Sequence, residues 1–222
     1  FNRWTKPLLK PPTTANKFAM LTAIWFFLRY LRELFALRRN DPREDLLTAL
    51  LQAEEAGDKM SEDELVAMVF ILLVAGHETT VNLIASGTFA LLSEDSNPTT
   101  DQYQLLRQEP SLIRSAVEEL LRYVNPVETA TDRYVAEDLV LSGVEMKRGE
   151  RVLAALASAN RDESVFTDPD HVDITRQKNK HLAFGMGAHY CVGAPLARME
   201  GAIAINLLAQ EMPNLRLAIP AK

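Results

Sequence analysis

A mainly α-helical fold with a small β region after the midpoint is what this sequence predicts, and three observations carry the prediction. Ser61 with Glu64 forms a capping box that opens a helix expected to run to about Leu92, apolar on all sides over 65–75. Ile113, Ala116, Val117, Leu120, Leu121 and Val124 then recur at helical spacing. Beyond Pro126 the pattern shortens to four β-prone pieces, with Gly143 and Gly149 as turn residues.

In chain order, an apolar segment over 18–38 becomes basic at its end, where cations suit a helix C-terminus, and Asp41-Pro42 stops it. A short helix over 45–56 is closed by Gly57-Asp58. The central helix follows over about 61–92, then Asn97-Pro98 breaks the chain. Short helices are expected at 102–108 and from Ser111 to just before Pro126. The β pieces are 133–135, 139–141, 144–146 and 151–153. Pro195 suits a first helical position, which opens a last helix to about Gln210.

The chain has 222 residues, 47% of them hydrophobic and 24% charged, with net charge −6, the profile of a soluble globular protein. No dense basic run follows Arg38-Arg39, which argues against nucleic acid. One cysteine suits a reducing compartment, and no signal-peptide pattern opens the chain, so a cytoplasmic location is expected. The apolar runs 18–28 and 65–75 are each about half of the roughly 20 residues a membrane-spanning helix needs. Buried helices of a soluble protein, with no membrane span, are expected.

Three constellations carry possible chemistry. Cys191 lies in Phe184-Gly-Met-Gly-Ala-His-Tyr-Cys191-Val-Gly193, where Gly185, Gly187 and Gly193 let the backbone turn tightly around the sulfur. A lone cysteine is ordinarily a small buried hydrophobe. Here a helix N-terminus follows directly, so the loop is electrically suited to anionic sulfur. Ala75-Gly76-His77-Glu78-Thr79-Thr80 drops polar groups into the most apolar helix: either a ligand lies against it or Glu78 meets solvent. A zinc-protease pattern fails there, because the second histidine position is Val81. Glu119 and Arg122, three apart, read by themselves as an exposed salt bridge. A zinc site from His181, His189 and Cys191 matches no common spacing.

Taken together and in this order, the three motifs resemble the cytochrome P-450 family of haem-thiolate monooxygenases in its soluble bacterial branch. The segments at 159–162, 166–176 and 181–184 are similar as well. The resemblance implies a partial cytochrome P-450 fold with a long central helix and a cysteine haem loop. It covers about the second half of a family member as a single incomplete domain. That domain comprises a helical part (1–125), a small β region (126–160), a meander and cysteine loop (161–194), and a final helix and tail (195–222). Helices ahead of Phe1 and a last β hairpin beyond Lys222 are expected to lie outside the chain, and 93–100 looks like a lengthened loop.

By the same resemblance the cofactor is haem b and Cys191 is the iron ligand. Ala75 and Gly76 border the oxygen pocket, while Glu78 and Thr79 relay protons. Arg133, His181 and His189 hold haem propionates, and Phe184, Gly185 and Gly193 pack around the sulfur. Glu119 and Arg122 become a buried structural pair completed by an arginine, for which Arg176 is favoured over an alignment that places His171 there. Leu72, Val127 and Ala130 face substrate. The implied activity inserts one oxygen atom of O2 into a small apolar organic substrate. Electrons come from a ferredoxin or flavodoxin-type donor with its reductase, docking where Arg114, Lys178, Lys180 and Arg198 are available. The alternative is a truncated, non-catalytic haem-binding or interaction fragment with exposed apolar faces.

Overall fold

The computed structural model describes residues 17–55, 60–93, 97 and 99–219. The expected stop at Gly57-Asp58 and half of the 93–100 connection lie outside these residues. The chain divides into two compact units, Phe1–His77 and Glu78–Lys222.

In the first unit, α1 (Lys17–Asn40) and α2 (Leu46–Glu55) pack with the opening turns of α3 (Glu62–Leu92). Buried Ala23, Phe27, Leu31 and Phe35 follow one another every four residues along α1, and Phe27, Leu31 and Phe35 meet Leu51, Leu65, Val66 and Val69. Asp45 starts α2 by accepting from the Thr48 N–H at 2.8 Å and from Arg38 Nε at 2.7 Å. The Thr48 backbone bond first, and Arg38 next, hold its carboxyl down at about 2. The capping box forms as expected: the Ser61 N–H donates to Glu64 Oε2 at 2.8 Å, and the Glu64 N–H to Ser61 Oγ at 3.4 Å.

One expectation for α3 is corrected. Its middle is not enclosed: Ile71, Leu73, Ala75, Gly76 and His77 are exposed, while the buried residues sit near its two ends. The helix is also longer in apolar character than the run 65–75 suggested, because Val81 to Leu92 remains apolar past the polar block. By length and composition alone it passes for a membrane-crossing helix, with 11% of its most apolar 18-residue window buried. Hydropathy marks residues that gain by leaving water; it does not supply the neighbours that cover them.

In the second unit, the end of α3 packs with α4 (Gln102–Gln108), a 3-10 turn (Pro110–Leu112) and α5 (Ile113–Val124). Leu83, Tyr103, Leu106, Val117, Leu120, Val172, Ile174 and Ile205 form its core. α5 ends at Asn125, whose left-handed φ of 41° lets its N–H reach Leu121 O at 3.1 Å just before Pro126. The β region forms two separate antiparallel ladders in place of one sheet. β1 (Arg133–Tyr134) pairs β4 (Arg151–Val152), and β2 (Leu139–Leu141) pairs β3 (Val144–Met146). Ser142 and Gly143, both at positive φ, make the tight turn of the second ladder. A short α6 (Leu156–Ala159), absent from the sequence expectations, precedes an irregular meander. The last helix, α7, spans Ala194–Glu211. Side chains of α4 satisfy carbonyls at the C-terminal end of α7: Tyr103 Oη donates to Leu208 O at 2.7 Å and Arg107 Nε to Ala209 O at 3.0 Å.

α7 crosses close to α3 and α5 at Gly201, where an added Cβ would lie 3.1 Å from Leu83 Cδ2 and 3.6 Å from Val117 Cγ1. At Gly76 an added Cβ meets nothing within 4 Å. Gly201→Val is therefore expected to destabilise the second unit by about 1–3 kcal/mol through overpacking. Gly76→Ala should instead stabilise by up to about 1 kcal/mol through helix propensity. Urea titrations of the two variants, which should shift in opposite directions, check this.

Candidate functional site

The site rests on one buried carboxylate. Glu119 and Arg122, three apart on α5, are both fully buried and join through two bonds, Arg122 Nη2 to Oε1 at 2.8 Å and Nε to Oε2 at 2.9 Å. Arg176 Nε and Asn179 Nδ2 donate to Oε2 at 3.0 Å each, and the Asp173 N–H donates to Oε1 at 2.9 Å. Arg122 also donates to the carbonyls of Asn160, Pro169 and His171 at 2.9, 2.7 and 3.0 Å. The pair is not the exposed bridge that the helical wheel suggested, because the meander folds over that face of α5. Arg176 takes the third position, while His171 contributes only its carbonyl and turns its ring to Asp168.

From this base the chain rises into the cysteine loop. The Gly185 N–H donates to Leu182 O at 2.9 Å, Tyr190 N–H to Gly187 O at 3.0 Å, and Cys191 N–H to Phe184 O at 3.0 Å. Gly185 and Gly187 stand at φ of 69° and 73°, left-handed conformations that glycine adopts without penalty. Gly193 begins α7, and a Cβ there would sit 3.8 Å from the sulfur. The Cys191 thiol is exposed, directly ahead of the positive end of α7.

A second carboxylate, adjacent to the first in sequence, serves the loop itself. Glu118 accepts from Arg198 at 2.6 Å (Nε to Oε1) and 3.0 Å (Nη2 to Oε2), and His181 Nε2 lies 3.0 Å from Oε2. Partial burial would raise its carboxyl, but hydrogen bonds from His181 and Arg198 and the Arg198 charge outweigh that and hold it at about 2. The Arg198 guanidinium is raised above its ordinary value, chiefly by Glu118. It also donates to Tyr190 Oη at 3.1 Å and lies 4.6 Å from the Phe184 ring centre.

This network bears on two sequence expectations. His181 is not free for a propionate: its side chain is 3% exposed, Nδ1 accepts from the Ala183 N–H at 3.2 Å and Nε2 faces Glu118. Arg198 is tied to Glu118 and Tyr190 with 35% of its side chain exposed, whereas Arg114, Lys178 and Lys180 are exposed. Arg133 and His189 are exposed, and among the described residues Arg133 donates to Thr131 and to the Asp132 carbonyl. On α3, Glu78 and Thr79 are half-buried beside exposed Ala75 and Gly76. Leu72 is half-buried, Val127 is exposed, and Ala130 is half-buried with its N–H on Ala154 O at 2.9 Å. Sequence reasoning missed Glu118, Asn160 and Asn179. Only the four-residue spacing of Glu118 and Arg122 hinted at a second acid, and it pointed to the wrong partner.

The donor set bears on what the loop can hold. Among the described residues no group of three or more His, Cys, Asp and Glu could bind a metal ion, which removes the zinc reading of His181, His189 and Cys191. An exposed sulfur with no companion ligands fits a metal whose other positions are filled by a cofactor, as in haem.

A cytochrome P-450 family model matches residues 6–212. Cytochrome P-450 107B1 of Saccharopolyspora erythraea is 49% identical over 98% of this chain and 52% of its own length. The vitamin D(3) 25-hydroxylase of Pseudonocardia autotrophica is 44% identical over 99% of this chain and 53% of its own length. Among solved structures, the Bacillus subtilis bacillaene polyketide synthase cytochrome P-450 PksS superposes with a TM-score of 0.89 at 42% identity, covering 99% of this chain and 55% of that one. The chain spans about half the length of the curated relatives it matches.

Breaking the buried cluster should be costly in a graded way. Arg122→Ala strands Glu119 without its two-pronged partner and should cost about 3–5 kcal/mol. Arg176→Ala removes one charged bond of several and should cost less, about 1.5–3 kcal/mol. Urea midpoints of the two variants check the order.

Proposed function

The chain belongs to the cytochrome P-450 family, whose members bind haem b, and on that premise we propose that it is the haem-holding half of a monooxygenase. The reaction inserts one oxygen atom of O2 into a small apolar organic substrate. The observation that carries the reading is the exposed Cys191 sulfur, presented by a glycine loop beside a helix N-terminus and anchored on the buried Glu119 cluster. When bound, the haem supplies the oxygen chemistry, to which a thiolate ligand lends electron density.

The chain's own residues divide the remaining work. Cys191 is the iron's protein ligand, with Phe184, Gly185 and Gly193 shaping its surroundings. Arg133 and His189 hold the propionates through cationic or N–H donors. Ala75 and Gly76 leave room on α3 for small molecules, an inference supported by the open space around Gly76. Thr79 Oγ1 passes a proton that the Glu78 carboxyl resupplies. Leu72, Val127 and Ala130 contact an apolar substrate. A soluble, cytoplasmic protein of this kind takes electrons from a ferredoxin or flavodoxin-type donor with its reductase, meeting Arg114, Lys178 and Lys180 on the cysteine side.

Reduced chain loaded with haem b and exposed to carbon monoxide should show a strongly red-shifted Soret band, and Cys191→Ser should lose it. Failure to take up haem, or a band unchanged in Cys191→Ser, would contradict the proposal.

A second reading, a non-catalytic haem-binding or interaction fragment, is favoured by the exposed apolar stripe Leu196, Met199, Ile203 and Leu207 along α7. It expects concentration-dependent self-association on size-exclusion chromatography. A monomer at all concentrations that oxidises substrate with a reductase system would eliminate it.

A further inference from the structure

We propose that Glu118 is a positioning residue for the cysteine loop, a carboxylate that ties together the segment entering the loop and the helix leaving it. His181 lies three residues ahead of Phe184, and Arg198 lies in the second turn of α7; the chain between them, 182–197, contains the whole loop. One carboxylate grips both ends, with bonds of 2.6 and 3.0 Å to Arg198 and 3.0 Å to His181.

Each partner is itself held in the loop. The Ala183 N–H donates to His181 Nδ1 at 3.2 Å, so the other nitrogen, Nε2, carries the proton and donates it to Glu118. Arg198 stacks on the Phe184 ring at 4.6 Å and donates to Tyr190 Oη at 3.1 Å, reaching the residues whose backbones flank Cys191. The Cys191 N–H bonds to Phe184 O, so placing the Phe184 ring also places the sulfur's backbone.

A plain surface ion pair would contribute little. This one differs by its two-pronged geometry, its shared third donor and a His181 side chain only 3% exposed. Glu119, on the same turn of α5, faces the meander. Neighbouring acids therefore serve different segments: Glu119 holds the base and Glu118 holds the loop.

The role as a loop tether does not require haem; its consequence for iron ligation rests on the function proposed above. Amide hydrogen exchange in the haem-free full chain tests the first. In Glu118→Gln, the Gly185, Tyr190 and Cys191 amides should exchange about tenfold faster relative to buried amides of α4, the scale of one lost charge-assisted hydrogen bond. Arg198→Lys, which keeps the charge but loses the fork and the stack, should accelerate the same amides by a smaller factor. Loop amides that stay unchanged in both variants, or that speed up no more than those of α4, would overturn the tether.

In the haem-loaded chain, Glu118→Gln should lose part of the red-shifted carbon monoxide band that wild type retains. A full band in Glu118→Gln would remove the consequence for ligation. Absence of the band in wild type would count against the proposed function alone, leaving the exchange data to decide the tether.

Discussion

A carboxylate and a guanidinium with no access to water dictate what surrounds them. Glu119 and Arg122 gain stability from burial only if their remaining hydrogen-bonding capacity is filled, since an unmet charge in the interior costs more than the pair contributes. The structure meets that demand with the meander: three carbonyls for Arg122, and one N–H, one amide and a second arginine for Glu119. A stretch with little regular structure thereby acquires a definite path. Asn160 extends the arrangement, since its side chain reaches Asn125 at the end of α5 and accepts the Leu182 N–H at 2.7 Å where the cysteine loop begins. The loop's position is thus inherited from a buried pair far from it in sequence.

The exposed faces follow from the other half of the same physics. α1 presents Phe18, Leu21, Trp25 and Phe26 to solvent, and α7 presents its own apolar stripe. These apolar faces stand open in a chain that spans about half the length of the curated relatives it matches.

Much of this was legible because some devices are local. The capping box, the Asn125-Pro126 stop and the glycines of the cysteine loop act over a few residues, and the sequence states them directly. The order of the three motifs identified the family, which no single motif could. What was not legible depended on tertiary neighbours. The helical wheel placed Glu119 and Arg122 in solvent because it could not see an irregular segment folding over them. The link from Glu118 to His181 and Arg198 was equally hidden, since nothing in their own surroundings announced a partner 63 and 80 residues away. The enclosure expected for the middle of α3 failed for the complementary reason: apolar composition states a preference for burial, not its fulfilment.

The central claim is that Glu119 and Arg122 act as one unit that organises the meander, and a double-mutant cycle on stability tests it most directly. Glu119→Met, Arg122→Met and the double variant should be compared by urea unfolding. Glu119→Met strands Arg122 and Arg122→Met deprives Glu119 of its two-pronged partner, whereas the double change removes both, so the double variant should lose clearly less than the sum of the two single losses. Additive losses, with the double variant least stable by the sum of the two, would contradict the account.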